Sequence, residues 1–313
     1  MKRTTIVIVG PTAVGKTKLS VALAKRLHSE IINGDAFQVY RGMNIGTAKV
    51  TNEEAEGVPH HLIDICEPNE AYTAAEYQCD ARRMIDTISS EGKMPILVGG
   101  TGLYIKAALF DYQFASSGAN PEYRLELARI VREGGGRELF DQLARVDPIA
   151  AKRIHPNNLV RVMRALEVYH ETGKPFSDHL PDESIQPLYP YLCIGLTMER
   201  ETLYARIDAR VDQMMDEGLL DEARSLYEKG LGEAQAMQAI GYKEFIPYFD
   251  DTCPLDEAVN QLKKNSRHYA KRQLTWFRRQ MSVHWFDMTE AVHNFPAKAE
   301  EIYRFILDNE ANE

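Results

Sequence analysis

Residues 6–17 read IVIVGPTAVGKT, and this segment determines which fold class we expect. Ile6 to Val9 form an apolar run that is typical of a short buried strand. The eight residues that follow match the pattern G-x-x-x-x-G-K-[ST], and an amphipathic, helix-like segment runs from Lys16 to about Leu27. The order strand, loop, helix distinguishes a phosphate-binding loop (P-loop) from a chance match. We therefore predict a P-loop at this place in the chain.

The P-loop indicates the kind of ligand. Successive backbone N–H groups of such a loop surround phosphate oxygens, and the helix N-terminus and the lysine add positive charge. We expect Thr17 to ligate Mg²⁺, and a glycine-rich turn without a ligand is the alternative. The residues predicted to bind a diphosphate or polyphosphate are Gly10, Pro11, Thr12, Ala13, Val14, Gly15, Lys16 and Thr17.

Further strands and helices alternate along the first third of the chain. Residues 30–33 and 95–98 are strand-like, and a helical pattern covers about Ala74 to Ser90. Strands separated by helices predict an α/β fold, a parallel sheet flanked by helices. Ligands of such sheets lie beyond the carboxyl ends of the strands. The residues after Val9, Asn33 and Val98 are therefore expected to converge.

The pattern changes after about Tyr112. From Asn120 to Gly173 it is helical, and residues 191–196 again resemble a strand that returns to the sheet. We predict a P-loop-type catalytic core of residues 1–112 and 190–313, with C-terminal helices. Residues 113–189 are predicted to form a helical insertion domain.

Composition limits the classes of protein and the cell compartment. The 313 residues carry 37 basic and 46 acidic side chains, a net charge of −9. No run approaches the roughly 20 apolar residues that a membrane-spanning helix needs, so we expect no membrane partner. The four cysteines are far apart and form no metal-spaced pair, which favours buried thiols in a reducing compartment. We expect a cytoplasmic protein.

One segment carries a charge opposite to that of the whole chain. Residues 261–280 contain no acidic residue, and three aromatic residues that are typical of a core lie among their basic ones. If the segment is a helix, its basic residues either contact the phosphates of a nucleic acid or form a solvated basic face. The basic residues are Lys263, Lys264, Arg267, Lys271, Arg272, Arg278 and Arg279.

Two further segments follow predicted strands. Asp35 comes after the second strand and has three possible roles: Mg²⁺ ligand, general base, or cap of the next turn. Gly99-Gly100-Thr101-Gly102 comes after the third strand, where glycines permit close backbone approach and Thr101 offers a hydroxyl. A structural turn is the alternative there.

Taken together, these segments resemble the tRNA dimethylallyltransferase (tRNA isopentenyltransferase) family of the bacterial type. The resemblance runs in order from about residue 5 to residue 280. Ala36 stands where the family usually has serine. Some relatives carry a C-terminal zinc finger, but this sequence has no Cys/His pairs there that would suggest one. Besides the P-loop, the matching segments are Gly34–Tyr40, Pro59–Asp64, Gly99–Tyr104, Asn158–Glu167, Ala239–Glu244 and Arg272–Arg278.

The resemblance implies a reaction and roles for residues. A dimethylallyl group passes from dimethylallyl diphosphate to the exocyclic amine of the adenine 3′ of the anticodon, and Mg²⁺ assists. Asp35 is implied as general base, and Thr101 as a hydrogen-bond partner of the diphosphate. The adenine must flip out of its stack to react. The residues implied to contact tRNA are Asp35, Ala36, Phe37, Gln38, Thr101, Leu159, Val160, Arg161, Val162 and Met163. We expect a monomer.

Other interpretations share part of this pattern. A small-molecule or nucleotide kinase would use the same P-loop and an acceptor-side aspartate, but would not need the insertion or the basic helix. A non-catalytic RNA-binding module would not need Lys16, Thr17, Asp35 and Thr101 together at strand ends. Three pairs are left open between a functional and a structural role: His60 and His61, Arg161 and Arg164, and Arg206 and Arg210.

Overall fold

The computed structural model describes residues 3–114, 120–179 and 185–310. The chain divides into two compact units, which we call the sheet unit and the helical unit. The sheet unit contains Met1–Phe110 and Pro187–Glu313, and the helical unit contains Asp111–Gln186. The predicted insertion limits, residues 113 and 189, lie close to this division.

The sheet unit is built on six parallel strands, which confirms the predicted α/β class. Their order across the sheet is β3-β2-β4-β1-β5-β6, and every pairing is parallel. Strand β1 is central and buried because it is the apolar run Thr5–Val9. The strands are β1 (Thr5–Val9), β2 (Ile31–Asn33), β3 (His60–His61), β4 (Ile96–Gly99), β5 (Tyr191–Thr197) and β6 (His284–Asp287).

Nine helices belong to the described part of the sheet unit. Helix α3 begins at Ala74 because Thr73 and Glu76 form a capping box, in which each side chain accepts the other's backbone N–H. The predicted limits of α1 and α3 are confirmed. The helices are α1 (Lys16–Leu27), α2 (Asn52–Ala55), α3 (Ala74–Ser90), α4 (Gly102–Leu109), α9 (Arg200–Asp216), α10 (Leu219–Leu226), α11 (Ile246–Phe249), α12 (Leu255–Gln280) and α13 (Phe295–Glu310). Short helical turns span Tyr227–Leu231, Ala236–Gln238, Lys243–Phe245 and Glu290–Val292.

The helical unit has its own hydrophobic core. Leu139, Leu143, Val162 and Leu166 are all at most 2% exposed. Helix α8 begins after Asn158, whose side chain accepts the Arg161 N–H, and ends at a glycine in the left-handed conformation. The helices are α5 (Pro121–Arg132), α6 (Gly136–Val146), α7 (Pro148–Arg153) and α8 (Leu159–Thr172), followed by a 3₁₀ turn at Phe176–His179.

The structure adds details that the sequence did not predict. Within residues 200–277, which are largely helical, Gly218, with φ 98°, separates α9 from α10, and short turns follow. Strands β3 and β6 were missed because they are short edge strands without a fully buried apolar run. His60 and His61 form β3, where His61 bonds Glu30 and His60 bonds the Val58 carbonyl, so both have structural contacts.

The four cysteines are free thiols, with Cys66 and Cys193 buried. Across the described ranges, we find no helix with the length and apolar character that a membrane crossing requires.

Candidate active site

The predicted P-loop, residues 10–17, joins β1 to α1, and its backbone geometry suits an anion. Ala13 and Gly15 adopt left-handed φ values of 64° and 103°, which turn the chain back over the start of α1. Gly15 occupies the N-cap position and has no side chain to cap the helix. The first N–H groups of α1 therefore face the loop, with the positive end of the helix dipole behind them. Ala13 and Val14 bury their side chains and contribute through the backbone.

The Lys16 ammonium is folded onto this loop. Its Nζ atom donates to the carbonyl oxygens of Gly10 and Pro11, at 3.0 and 2.8 Å. The pKa of Lys16 is lowered to about 8, mainly by burial; the Asp35 carboxylate opposes this shift and nearby Arg210 contributes to it. An anion that approaches this desolvated ammonium, which has only carbonyl partners, stabilises it, because the anion favours the charged form of the lysine.

Asp35 and Thr101 meet at the same edge of the sheet. The Gly34 N–H donates to the Val98 carbonyl at 2.7 Å, and the Thr101 N–H donates to the Gly34 carbonyl at 3.2 Å. The Thr101 hydroxyl accepts the Ala36 N–H at 3.0 Å. Because β2, β4 and β1 are neighbours in the sheet, the predicted convergence of the residues after these strands is confirmed.

The electrostatic environment of Asp35 favours a proton acceptor. Burial raises the pKa of Asp35, against opposing effects of backbone hydrogen bonds from Phe37 and Gln38 and of the Lys16 charge. Its Oδ1 atom accepts the Phe37 N–H at 2.9 Å, so the side chain also caps the following turn. The predicted cap and the proposed base are thus compatible. A carboxylate with a raised pKa binds a proton more readily than free aspartate does.

The segment after Asp35 is held by polar contacts. The Gln38 Nε2 atom donates to the Thr47 and Ala48 carbonyls, which leaves Oε1 for another partner. Lys49, with a side chain only 5% exposed, forms a 2.6 Å ion pair with Asp64. The Glu222 carboxylate accepts three consecutive backbone N–H groups, those of Asn44, Ile45 and Gly46. These contacts fix the loop that begins at Asp35.

Helix α12 closes one side of this site. Gln273 is 4% exposed, accepts the Thr12 N–H with Oε1 at 3.0 Å, and donates from Nε2 to the Gly100 carbonyl at 3.1 Å. Tyr269, one turn earlier, lies close to Thr101. A Cβ atom at Gly102 would overlap the Trp276 ring. The glycines of this turn therefore allow close approach of the protein's own side chains, and sequence reasoning did not detect Gln273.

Arg206 and Arg210 lie beside the P-loop. The Arg206 Nε atom donates to the Ala13 carbonyl at 3.0 Å. Burial lowers the pKa of Arg210, whose charge in turn acts on Lys16. The i, i+4 spacing had placed both arginines on one face of α9, but could not say which surface that face meets. Together with Lys16 they make this edge of the sheet strongly positive.

The seven basic residues of α12 fall into two groups. Lys263 pairs with Asp212 at 2.6 Å, and Arg267 pairs with Asp208, so α9 neutralises both. These two cations are therefore already paired within the protein. The other five, which we call the α12 basic surface, are exposed: Lys264, Lys271, Arg272, Arg278 and Arg279.

In the helical unit, the residues implied to contact tRNA differ in their exposure to solvent. Val160 is 71% exposed and Arg161 is also exposed, whereas Val162 is fully buried in the core. The Val162 side chain therefore packs in the core of the helical unit. Arg164, which was left open between two roles, has a structural contact, an ion pair with buried Glu167 at 3.3 Å.

The donor set at the P-loop suits Mg²⁺ that arrives with a phosphate ligand. The Thr17 side chain lies at the start of α1, and no hydrogen bond to a described residue occupies its hydroxyl. No group of three His, Cys, Asp or Glu side chains suited to a metal occurs within residues 3–114, 120–179 and 185–310. Mg²⁺ is usually bound through few protein oxygens together with substrate phosphates. The residues present fit that mode.

Comparisons with known proteins identify the family. The family model for IPP transferase matches residues 38–280. The chain is 58% identical to a tRNA dimethylallyltransferase of Geobacillus kaustophilus, over 98% of each protein. A solved tRNA isopentenylpyrophosphate transferase from Bacillus halodurans is 51% identical and superimposes with a TM-score of 0.74, with 99% and 98% of the two chains covered.

A more distant solved structure shows the same architecture. It is a eukaryotic dimethylallyltransferase acting on tRNA, 30% identical, with a TM-score of 0.83 over 99% of this chain and 80% of the other. The matches cover the P-loop, the segment after Asp35, the helical unit and α12. The chain belongs to the tRNA dimethylallyltransferase (IPP transferase) family.

Proposed function

We propose that this protein transfers a dimethylallyl group from dimethylallyl diphosphate to the exocyclic amine of the adenine 3′ of the anticodon in tRNA. One observation carries the proposal: an anion-binding loop with Lys16 lies beside a carboxylate of raised pKa, Asp35, at one edge of the sheet. The first can hold a leaving diphosphate, and the second can receive the proton of an attacking amine. Family membership supports the same reaction.

The loop stabilises the charge that develops as the C–O bond breaks. The leaving diphosphate gains negative charge while the allyl carbon becomes cationic. The N–H groups at the start of α1 are held by the fold before the reaction, and the Lys16, Arg206 and Arg210 cations add positive charge near them. The Thr12 N–H donates to Gln273, which fixes this part of the loop. Mg²⁺ held partly by Thr17 would supply further charge stabilisation at the diphosphate.

Asp35 accepts the proton of the adenine amine. That amine is weakly basic, so its proton leaves only as the new C–N bond forms, and position matters more than base strength. The Phe37 N–H fixes Asp35, and the Ala36 N–H fixes the Thr101 hydroxyl. Thr101 would donate that hydroxyl proton to the diphosphate near the breaking bond. Proton acceptor and leaving-group donor are thus held by adjacent residues.

The protein is proposed to bind tRNA through its exposed basic and apolar surfaces. The adenine must leave the anticodon stack to reach Asp35, at a cost of about a few kcal/mol. The segment Asp35–Gln38 would contact the extruded base, with Gln38 Oε1 as an available acceptor. In the helical unit, Val160 and Arg161 are the exposed candidates. We propose that the protein acts as a cytoplasmic monomer.

The reaction can be tested against phosphoryl transfer in one assay. Protein, Mg²⁺ and bulk tRNA are incubated in parallel with labelled dimethylallyl diphosphate and with ATP labelled in its terminal phosphate. We expect the prenyl label in RNA and no phosphate transfer to tRNA or small acceptors. Phosphate transfer from ATP without alkylated RNA would indicate a kinase and refute the proposal.

The first prediction concerns the base. Replacing Asp35→Asn keeps an oxygen for the Phe37 N–H but removes the proton acceptor. Single-turnover transfer should slow by about 10²- to 10⁴-fold. Binding of dimethylallyl diphosphate, measured by calorimetry, should stay within about threefold of the parent, because the P-loop is untouched. Asp221→Asn on the exposed surface of α10 is the matched control, and equal rates for Asp35→Asn and the parent would exclude the base role.

The second prediction concerns proton uptake by Lys16. Since its pKa is about 8 without ligand, and a bound anion raises that pKa, diphosphate binding above pH 8 must add a proton. The dissociation constant should therefore rise by up to about tenfold for each pH unit above 8. The Lys16→Arg variant stays charged over this pH range. Dividing the dissociation constant of the parent by that of the variant at each pH therefore cancels the ligand's own titration. A ratio that does not change with pH would contradict the shift.

The third prediction concerns tRNA phosphates. Lys271→Gln removes a cation of the α12 basic surface, whereas Lys263→Gln removes one that Asp212 already neutralises. Tighter binding at low salt reflects released counterions, so Lys271→Gln should reduce the slope of log affinity against log salt by about 0.7 to 0.9. Lys263→Gln should leave the slope unchanged. Equal slopes for both variants, in filter-binding assays with tRNA, would place the phosphate contacts elsewhere.

A further inference from the structure

Gln273 connects two loops that belong to different strands. Strands β1 and β4 pair in register up to Val9 and Gly99, and beyond that point the chain continues into the P-loop on one side and the Gly100–Gly102 turn on the other. The Gln273 amide spans this gap, because Oε1 accepts the Thr12 N–H and Nε2 donates to the Gly100 carbonyl. With 4% of its surface exposed, it has little water to compete for either bond.

The two loops serve opposite halves of the reaction. The P-loop holds the leaving group, whereas the other turn carries Thr101, whose hydroxyl accepts the Ala36 N–H beside Asp35. The position of Gly100 relative to Thr12 therefore sets the position of the proton acceptor relative to the diphosphate. Misplacement of reacting groups by about 1 Å costs about 10²-fold in rate.

The chemistry of the site requires an amide. One end of the side chain must offer an acceptor and a donor side by side, and a primary amide supplies both without charge. Tyr269 lies close to the same amide and to Thr101. Gly100 leaves the room needed, because a Cβ atom there would overlap the Gln273 Nε2 atom.

We propose that Gln273 is a positioning residue that keeps the P-loop and the Thr101 turn in register during prenyl transfer. It touches neither substrate and acts through Thr12 and Gly100. This role rests on the proposed function, since it assigns the leaving group and the proton acceptor to these two loops.

The first test removes both hydrogen bonds. Gln273→Met retains the length of the side chain, and its single-turnover transfer rate at saturating substrates should fall by about 100-fold. Affinity for tRNA should remain within about twofold, because the α12 basic surface is on another face of the helix. Gln261→Met makes the same chemical change at an exposed position of α12 and should transfer at the parent rate. A folded Gln273→Met protein with the parent rate would overturn the proposal.

The second test uses pH as a signature of the paired hydrogen bonds. In Gln273→Glu, a protonated carboxyl has one O–H donor and one carbonyl acceptor and replaces the amide, whereas the ionised form repels the Gly100 carbonyl. Burial raises the pKa of such a carboxyl. The rate of Gln273→Glu divided by that of the parent should therefore increase as pH falls, and the same ratio for Gln273→Met should not. A flat ratio for both variants would contradict the proposal.

A third test displaces the amide instead of removing it. Gly100→Ala should push Nε2 aside and slow transfer on its own. If Gly100→Ala acts through the amide, the double variant Gly100→Ala/Gln273→Ala should transfer no more slowly than Gln273→Ala alone. If the two substitutions act independently, their rate losses would multiply, and that result would refute the coupling. Failure of the parent protein to alkylate tRNA would refute the proposed function. Parent transfer with unaffected Gln273 variants would refute only the positioning role.

Discussion

The interaction between the Lys16 ammonium and the Asp35 carboxylate underlies the organisation of the site. Both residues are partly buried, which lowers the pKa of the lysine and raises that of the aspartate, and each charge partly offsets the shift of the other. Opposite charges that lose water are stabilised only where their geometry is good and further hydrogen bonds compensate for the lost solvent. The left-handed P-loop residues and the turn after Asp35 meet that requirement, and the diphosphate and the adenine would enter between them.

Helix α12 combines two roles on different faces. One face carries Tyr269, Gln273 and Trp276 against the turn around Thr101. The exposed face carries the α12 basic surface, while the cations between the two faces pair with aspartates of α9. The net charge of −9 thus conceals a local positive surface. Binding of a polyanion depends on this local arrangement, and the negative remainder disfavours contact elsewhere.

The sequence predicted features that depend on local pattern. Helix α3 was predicted from Ala74 to Ser90 because its helical pattern is local, and β1 and the P-loop because their motif is contiguous. Strand β6 was missed because its pairing with β5 is a long-range contact, and its four partly exposed residues show no clear strand pattern in the sequence. Gln273 was missed because glutamine in a helix is usually a surface residue, and only tertiary structure brings Thr12 and Gly100 to its two amide atoms. The division of the basic residues of α12 likewise required the position of α9.

The mutual influence of Lys16 and Asp35 can be measured directly. The Asp35 carboxyl carbon, labelled with ¹³C and assigned by its loss in Asp35→Asn, would be titrated by NMR in the parent and in Lys16→Met. Removing the ammonium removes a charge that favours the ionised carboxylate, so the pKa of Asp35 should rise above its already raised value in the parent. An identical titration in both proteins would show that the two charges do not interact, and the site as described here would be incorrect.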